Sequence, residues 1–128
     1  MILGSGCFDG LHAGHVRYLS AMKKLAHLGE GVAVAVAPDD YIMQSKQRKP
    51  HWPQMDRWRT LLECGVEPIA QQAASVAETI RQRKPRLFVK GAEWAGKLPE
   101  DVKTACRECG VQVVYVEAPG THTSEAVG

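Results

Sequence analysis

Long hydrophobic runs are missing from this 128-residue chain. No stretch approaches the roughly 20 apolar residues of a membrane-spanning helix, so no membrane partner is expected. Residues 1–10 carry neither the basic start nor the apolar core of a secretory signal, which makes the cytoplasm the expected compartment. Charge of one sign is equally scarce. Lys and Arg number 16 against 14 Asp and Glu, a formal +2, whereas nucleic acid demands a concentrated basic face; no nucleic-acid partner is expected. Cysteine is limited to Cys7, Cys64, Cys106 and Cys109, too few and too scattered for a disulfide framework, and we expect reduced thiols. Cys106 and Cys109 form a C-x-x-C without the second half that a zinc site requires. They read as ordinary helix cysteines, and no metal site is expected on the protein itself. Repeats, low-complexity tracts and linkers are absent as well.

What is present is a balanced globular composition, 45% hydrophobic and 23% charged, long enough for one domain with a real core. Short apolar runs alternate with amphipathic stretches. The patterning predicts strands over 1–5, 32–37, 66–69, 87–89 and 111–116. It predicts helices over 14–28, 54–64, 74–83 and 99–109, with a polar, basic loop over 44–53. Residues 32–37 (VAVAVA) read as a strand buried on both faces. Residues 121–127 read as the start of a last helix that the chain end interrupts, as in a domain belonging to a longer gene product. The order βαβαβαβαβ predicts an α/β fold: a single domain (1–128) with a Rossmann-like, doubly wound parallel sheet of about five strands and helices on both faces. In such sheets ligands gather beyond the carboxyl ends of the strands. That rule selects residues 6–15, 37–40, 89–94 and 119–124.

The first of these segments reads GCFDGLHAGH. Gly6 and Gly10 admit close approach of backbone to a ligand, and the helix mouth that follows is a natural anion site. His12 and His15 stand there, suited to stabilise charge that develops during phosphoryl or nucleotidyl transfer. Taken singly, either histidine also reads as a surface-loop or partly buried residue. Gly14 allows the helix start to pack tightly against a nucleotide. The dinucleotide fingerprint G-x-G-x-x-G is missing from this turn, which sets a dinucleotide-binding domain aside.

The stretch His12-Ala13-Gly14-His15, joining first strand to first helix, resembles the HxGH signature of the cytidylyltransferase-like nucleotidyltransferase superfamily. The nearest members by resemblance are heptose-phosphate adenylyltransferases and glycerol-3-phosphate cytidylyltransferases, and the resemblance extends over essentially the whole chain. It implies nucleotide-binding roles for Gly6, Cys7, Phe8 and Gly14, and places Asp9 and Asp39 beside the phosphorylated acceptor; Asp39 reads equally well as a helix cap. The family's basic loop, K-G-x-x-R-P, is matched imperfectly by Ser45-Lys46-Gln47-Arg48-Lys49-Pro50. Lys46 is its best counterpart, with Arg48 or Lys49 as substitutes. Pro53-x-x-x-Arg57 resembles the family's P-x-x-x-R, which implies that Arg57 grips phosphates, a task suited to a guanidinium. Arg59, two residues on, reads as surface. Val89-Lys90-Gly91-Ala92-Glu93-Trp94 resembles V-K-G-x-[DE]-[YW], implying that Lys90 and Gly91 line the nucleotide site and that Glu93 meets ribose or base. Trp94 is read as a stacking, core or subunit-contact residue. Gly120-Thr121-His122-Thr123-Ser124 resembles G-x-S-T-S/T, so Thr123 and Ser124 are expected on the β- and γ-phosphates, or as a plain capping box.

The implied enzyme transfers a nucleoside monophosphate, AMP in preference to CMP, to a phosphorylated sugar or alcohol and releases pyrophosphate. His12, His15, Lys46 and Arg57 are its expected catalytic residues. Mg²⁺ is expected with the triphosphate, and the resemblance implies a homodimer. Two alternatives stand beside this: a cytidylyltransferase making a CDP-alcohol, and a nucleotide-binding module without turnover.

Overall fold

The computed structural model describes residues 1–117 apart from 7, 9–12, 72 and 74. Five strands, β1 (Ile2–Gly6), β2 (Val32–Val36), β3 (Glu67–Ala70), β4 (Leu87–Gly91) and β5 (Gln112–Val116), form one sheet in the order β3-β2-β1-β4-β5, every pair parallel. Among the described residues, five α-helices accompany them: α1 (Ala13–Leu25), α2 (Asp39–Lys46), α3 (Gln54–Glu63), α4 (Ala77–Arg83) and α5 (Glu100–Cys109). The expected doubly wound α/β sheet is therefore observed.

Strand alternation divides the core into two layers. Ile2, Val34, Val36 and Val89 face one way and pack on Tyr18, Leu19 and Met22 of α1 and Leu61 of α3. Leu3, Ala33, Ala35 and Phe88 face the other way and pack on Ile80 of α4 and on Val102, Ala105 and Cys106 of α5. Because both faces are covered, the central strands carry apolar side chains at successive positions, as a parallel sheet requires. After β3 the chain crosses the sheet and inserts β4 on the far side of β1. The strand order reverses there, so β1 and β4 diverge at a crevice beyond their carboxyl ends.

Helix α2 departs from the expected arrangement, in which no helix stood between the strand over 32–37 and a loop over 44–53. It is eight residues long and buries Ile42 against Ala37, with Tyr41 packed beside them. So small an apolar contact leaves hardly any periodic signal in DDYIMQSK. Pro38, Pro53 and Pro99 stand in extended conformation directly before α2, α3 and α5, where a missing N–H costs nothing. Acidic side chains follow each of them in the first turn and oppose the helix dipole. Gly110, with φ of 67°, ends α5 in the left-handed conformation that glycine adopts without penalty.

Among the described residues, no helix is long and apolar enough to cross a membrane. Cys64, Cys106 and Cys109 are free thiols. Burial pushes the Cys106 thiol up, with the neighbouring Cys109 adding to the effect.

Candidate active site

β1 delivers its last residues, Ser5 and Gly6, to the crevice. Phe8 follows with φ of +50°, a rare conformation for a bulky residue, and is 2% exposed. This backbone turn folds the phenyl ring back beneath α1. Its centroid lies 4.9 Å from the ring of His15 and 6.2 Å from that of Tyr18. Gly14 and His15 are both buried at the first turn of α1, and His15 is seated on the Phe8 ring. Cys7, Asp9, Gly10 and His12 lie outside the described residues, as do Thr123 and Ser124.

Tyr18 fixes that helix to the sheet. Its hydroxyl donates to the backbone carbonyl of Val89 over 2.5 Å, and burial pushes its phenol well above the ordinary value. β1 must carry glycine opposite this contact, since a Cβ on Gly4 would collide with the Tyr18 hydroxyl and stand 2.9 Å from Met22 Sδ.

On the β4 side, Lys90 is buried and turned toward β1. Its Nζ donates to the Ser5 carbonyl at 3.2 Å and to Ser5 Oγ at 3.4 Å, and stands 4.5 Å from the centre of the Trp94 ring, within cation–π range. A positive side chain thus spans the switch point. Gly91 ends β4 with the Glu93 carboxylate packed against it, so that a Cβ at Gly91 would strike the carboxylate. Glu93 is exposed. Trp94, read as a stacking, core or subunit-contact residue, covers Lys90 and packs against the α4–α5 layer.

A third group stands beyond β2 and β3. Arg57 is wholly buried; its Nη2 donates to Asp39 Oδ1 at 2.7 Å and its Nε to the Trp52 carbonyl at 3.1 Å. The two residues that the resemblance assigned to phosphate and acceptor are therefore partners of one another, bracing α2, α3 and the loop between them. Gln54 continues the brace, donating through Nε2 to the carbonyls of Val36 and Gln71, at the ends of β2 and β3. Lys46 closes α2, and its side chain lies outside the described part. Arg48 donates to the Lys49 carbonyl, Lys49 is exposed, and Arg59 lies at the surface 3.9 Å from Asp56.

A cavity of about 230 Å³ opens from the ends of β1 and β4 toward the starts of α4 and α5. Ser5, Gly6, Tyr41, Gln71, Lys90 and Trp94 stand around its sheet side. Asp101, at its rim, accepts from Ser75 Oγ at 2.5 Å and from the Val102 N–H at 2.9 Å. Sequence reasoning did not single out Ser5, Tyr41, Gln71 or Asp101. The carboxyl-end rule applied one residue earlier on β1 and carried past β3 finds Ser5 and Gln71. Tyr41 and Asp101 carried no such signal. Among the described residues, no group of three His, Cys, Asp or Glu side chains is placed to hold a metal.

The profile of the cytidylyltransferase-like family matches residues 3–126. The Bifunctional protein HldE of a Nitratiruptor species is 35% identical over 100 residues, which is 76% of this chain and 21% of that protein. The protein of the same name from Streptomyces coelicolor is 36% identical over 105 residues, 78% of this chain and 22% of that one. The chain thus spans about a fifth of the length of these curated relatives. The crystal structure of a lipopolysaccharide core biosynthesis protein from Thermoplasma volcanium superimposes with a TM-score of 0.71 at 24% identity, over 94% of this chain and 97% of that one. That likeness is one of fold. Together with the sheet order and the crevice at β1 and β4, the profile match means that the chain belongs to the cytidylyltransferase-like family of nucleotidyltransferases.

Proposed function

We propose that the chain transfers a nucleoside monophosphate, AMP by preference, from a nucleoside triphosphate to a phosphorylated sugar or alcohol. An oxygen of the acceptor phosphate attacks the α-phosphorus, a new P–O bond forms, and the bond to the leaving pyrophosphate breaks. The reading is carried by one observation: the end of β1, where Lys90 bridges to Ser5 and Phe8 packs beneath His15 of α1, lies at the point where β1 and β4 part. A helix mouth and a buried ammonium beside one crevice suit a polyanion.

His12 and His15 hold the α- and β-phosphate region, and Lys46 neutralises the leaving pyrophosphate, aided by Thr123 and Ser124. Gly6, Cys7, Phe8, Gly14, Lys90, Gly91 and Glu93 surround the nucleotide, and Asp9 and Asp39 adjoin the acceptor. Arg57 serves this arrangement through Asp39, which it holds. Catalysis of this kind rests on positioning and charge stabilisation. Mg²⁺ accompanies the triphosphate, and we assign it no protein ligand. A homodimer is the proposed assembly, checked by sedimentation.

The family description supports a second reading, cytidylyl transfer to an alcohol phosphate. One experiment separates the readings. The protein is incubated with ATP, CTP, GTP or UTP, Mg²⁺ and a panel of phosphomonoesters, and pyrophosphate is assayed alongside thermal shift. Release with ATP above the others supports the first reading and release with CTP the second. Nucleotide binding without release in every combination leaves a binding module and overturns both.

A further inference from the structure

Gln54 is the first residue of α3, directly after Pro53. It stands at an unspecified position of P-x-x-x-R, so the resemblance assigns it nothing. Its side chain turns back to the sheet, where Nε2 donates to the Val36 carbonyl at 3.0 Å and to the Gln71 carbonyl at 3.3 Å. Val36 is the last residue of β2, and Gln71 follows the last residue of β3. The Val36 carbonyl also accepts from the Gln71 N–H at 3.0 Å. Two strand ends and a helix start therefore meet at one pair of carbonyls. Two acceptors facing one terminal atom require an atom with two N–H bonds, and a primary amide supplies it.

The segments that leave this joint face the acceptor side of the crevice. Ala37 directly follows Val36 and leads through Pro38 into α2; Ala37, Tyr41 and Gln71 all line the cavity. Gln71 is buried, and its own Nε2 donates to the Ala73 carbonyl at 2.7 Å, so its side chain moves with its backbone. Asp39 belongs to the same stretch as Tyr41, and Arg57, one turn after Gln54, holds it at 2.7 Å. The nucleotide side is tied separately, through Lys90 to Ser5 and Tyr18 to Val89. Those hydrogen bonds join β4, β1 and α1 and do not involve α3. We infer that Gln54 is a positioning residue for the acceptor: its amide fixes the ends of β2 and β3 and, through them, Asp39, Tyr41 and Gln71. This rests on the nucleotidyl-transfer reading and its division of the crevice between nucleotide and acceptor.

The test compares the parent with Gln54→Met, which keeps the bulk and removes both donors, and with Gln54→Ala, which removes bulk and donors together. Pyrophosphate release is followed with the triphosphate and phosphomonoester that the parent turns over. Triphosphate affinity is measured by calorimetry without acceptor, and melting reports folding; if one variant does not melt cooperatively, the other decides. Both variants are expected to raise the KM for the acceptor roughly tenfold and to leave triphosphate affinity within about twofold, because a displaced positioning group affects only what it positions. Equal losses for acceptor and triphosphate mark a general loosening and overturn the inference. An acceptor KM that Gln54→Met leaves at the parental value overturns it too, since bulk and not the amide would then matter. If the parent releases no pyrophosphate with any pair, the transfer reading fails, and calorimetry with the phosphomonoester panel decides the brace. Binding that Gln54→Met weakens upholds it, whereas binding left unchanged, or none to the parent, overturns it.

Discussion

Asp39, at the start of α2, and Arg57, in the first turn of α3, form an ion pair of 2.7 Å in which the guanidinium is fully buried and the carboxylate side chain 44% exposed. The asymmetry has an energetic consequence. Removing the carboxylate takes a charged partner from a buried guanidinium, whereas removing the cation leaves a carboxylate that water can solvate. Asp39→Ala is expected to lower stability by more than Arg57→Met does. The double variant should cost less than the sum of the two, because the contact has already been lost. Urea unfolding of the three variants measures this; additive losses would mean that the pair is not coupled.

His15 should separate chemistry from folding. It is buried on the Phe8 ring at the mouth of α1, and His15→Gln keeps most of its bulk. Pyrophosphate release is expected to fall roughly 10²–10³-fold, mainly in kcat, with the KM for the triphosphate changing far less. Turnover at the parental rate would remove this imidazole from the mechanism.

Gly4 and Tyr18 give a packing prediction. A methyl group at Gly4 meets the Tyr18 hydroxyl and Met22, and the hydroxyl is anchored on Val89. Gly4→Ala should therefore cost about 1–3 kcal/mol, the usual range for overpacking. Tyr18→Phe, which costs about 1 kcal/mol alone through its hydrogen bond, makes room for that methyl, so the pair should be less destabilised than the sum. Calorimetric melting of the two single variants and the double variant decides it.

At the opposite end of the sheet, Glu30 receives both arms of Arg86, Nε at 2.9 Å and Nη2 at 2.7 Å, together with the His27 N–H at 2.9 Å. The guanidinium first, and the backbone donor after it, hold this carboxyl well below the usual carboxylate range. A carboxyl depressed in the folded state contributes stability that is fully present above its ordinary value near 4.5 and is lost as the pH falls below it. Glu30→Gln should lower Tm at neutral pH, and the gap to the parent protein should close as the solution is acidified through that range. A gap that persists unchanged into acid would contradict the assignment.

The chain's own order of residues determined its strands, its principal helices and the crevice between β1 and β4. VAVAV reads as a doubly buried strand and forms one, and the helical spacing after Gly14 marks the helix that α1 is. Helix α2 escaped because Ile42 and Tyr41 supply only a small apolar contact. What tertiary structure alone decided are the partnerships. Lys90 reaches Ser5 across 85 residues because β4 inserts beside β1 and not beside β3. Arg57 meets Asp39 because α2 and α3 pack at the ends of β2 and β3, so a residue that the family resemblance assigns to phosphate also holds a carboxylate. Side-chain chemistry is written in one dimension, but Coulombic and hydrogen-bonded partners are chosen by distance in three, and the strand order sets those distances.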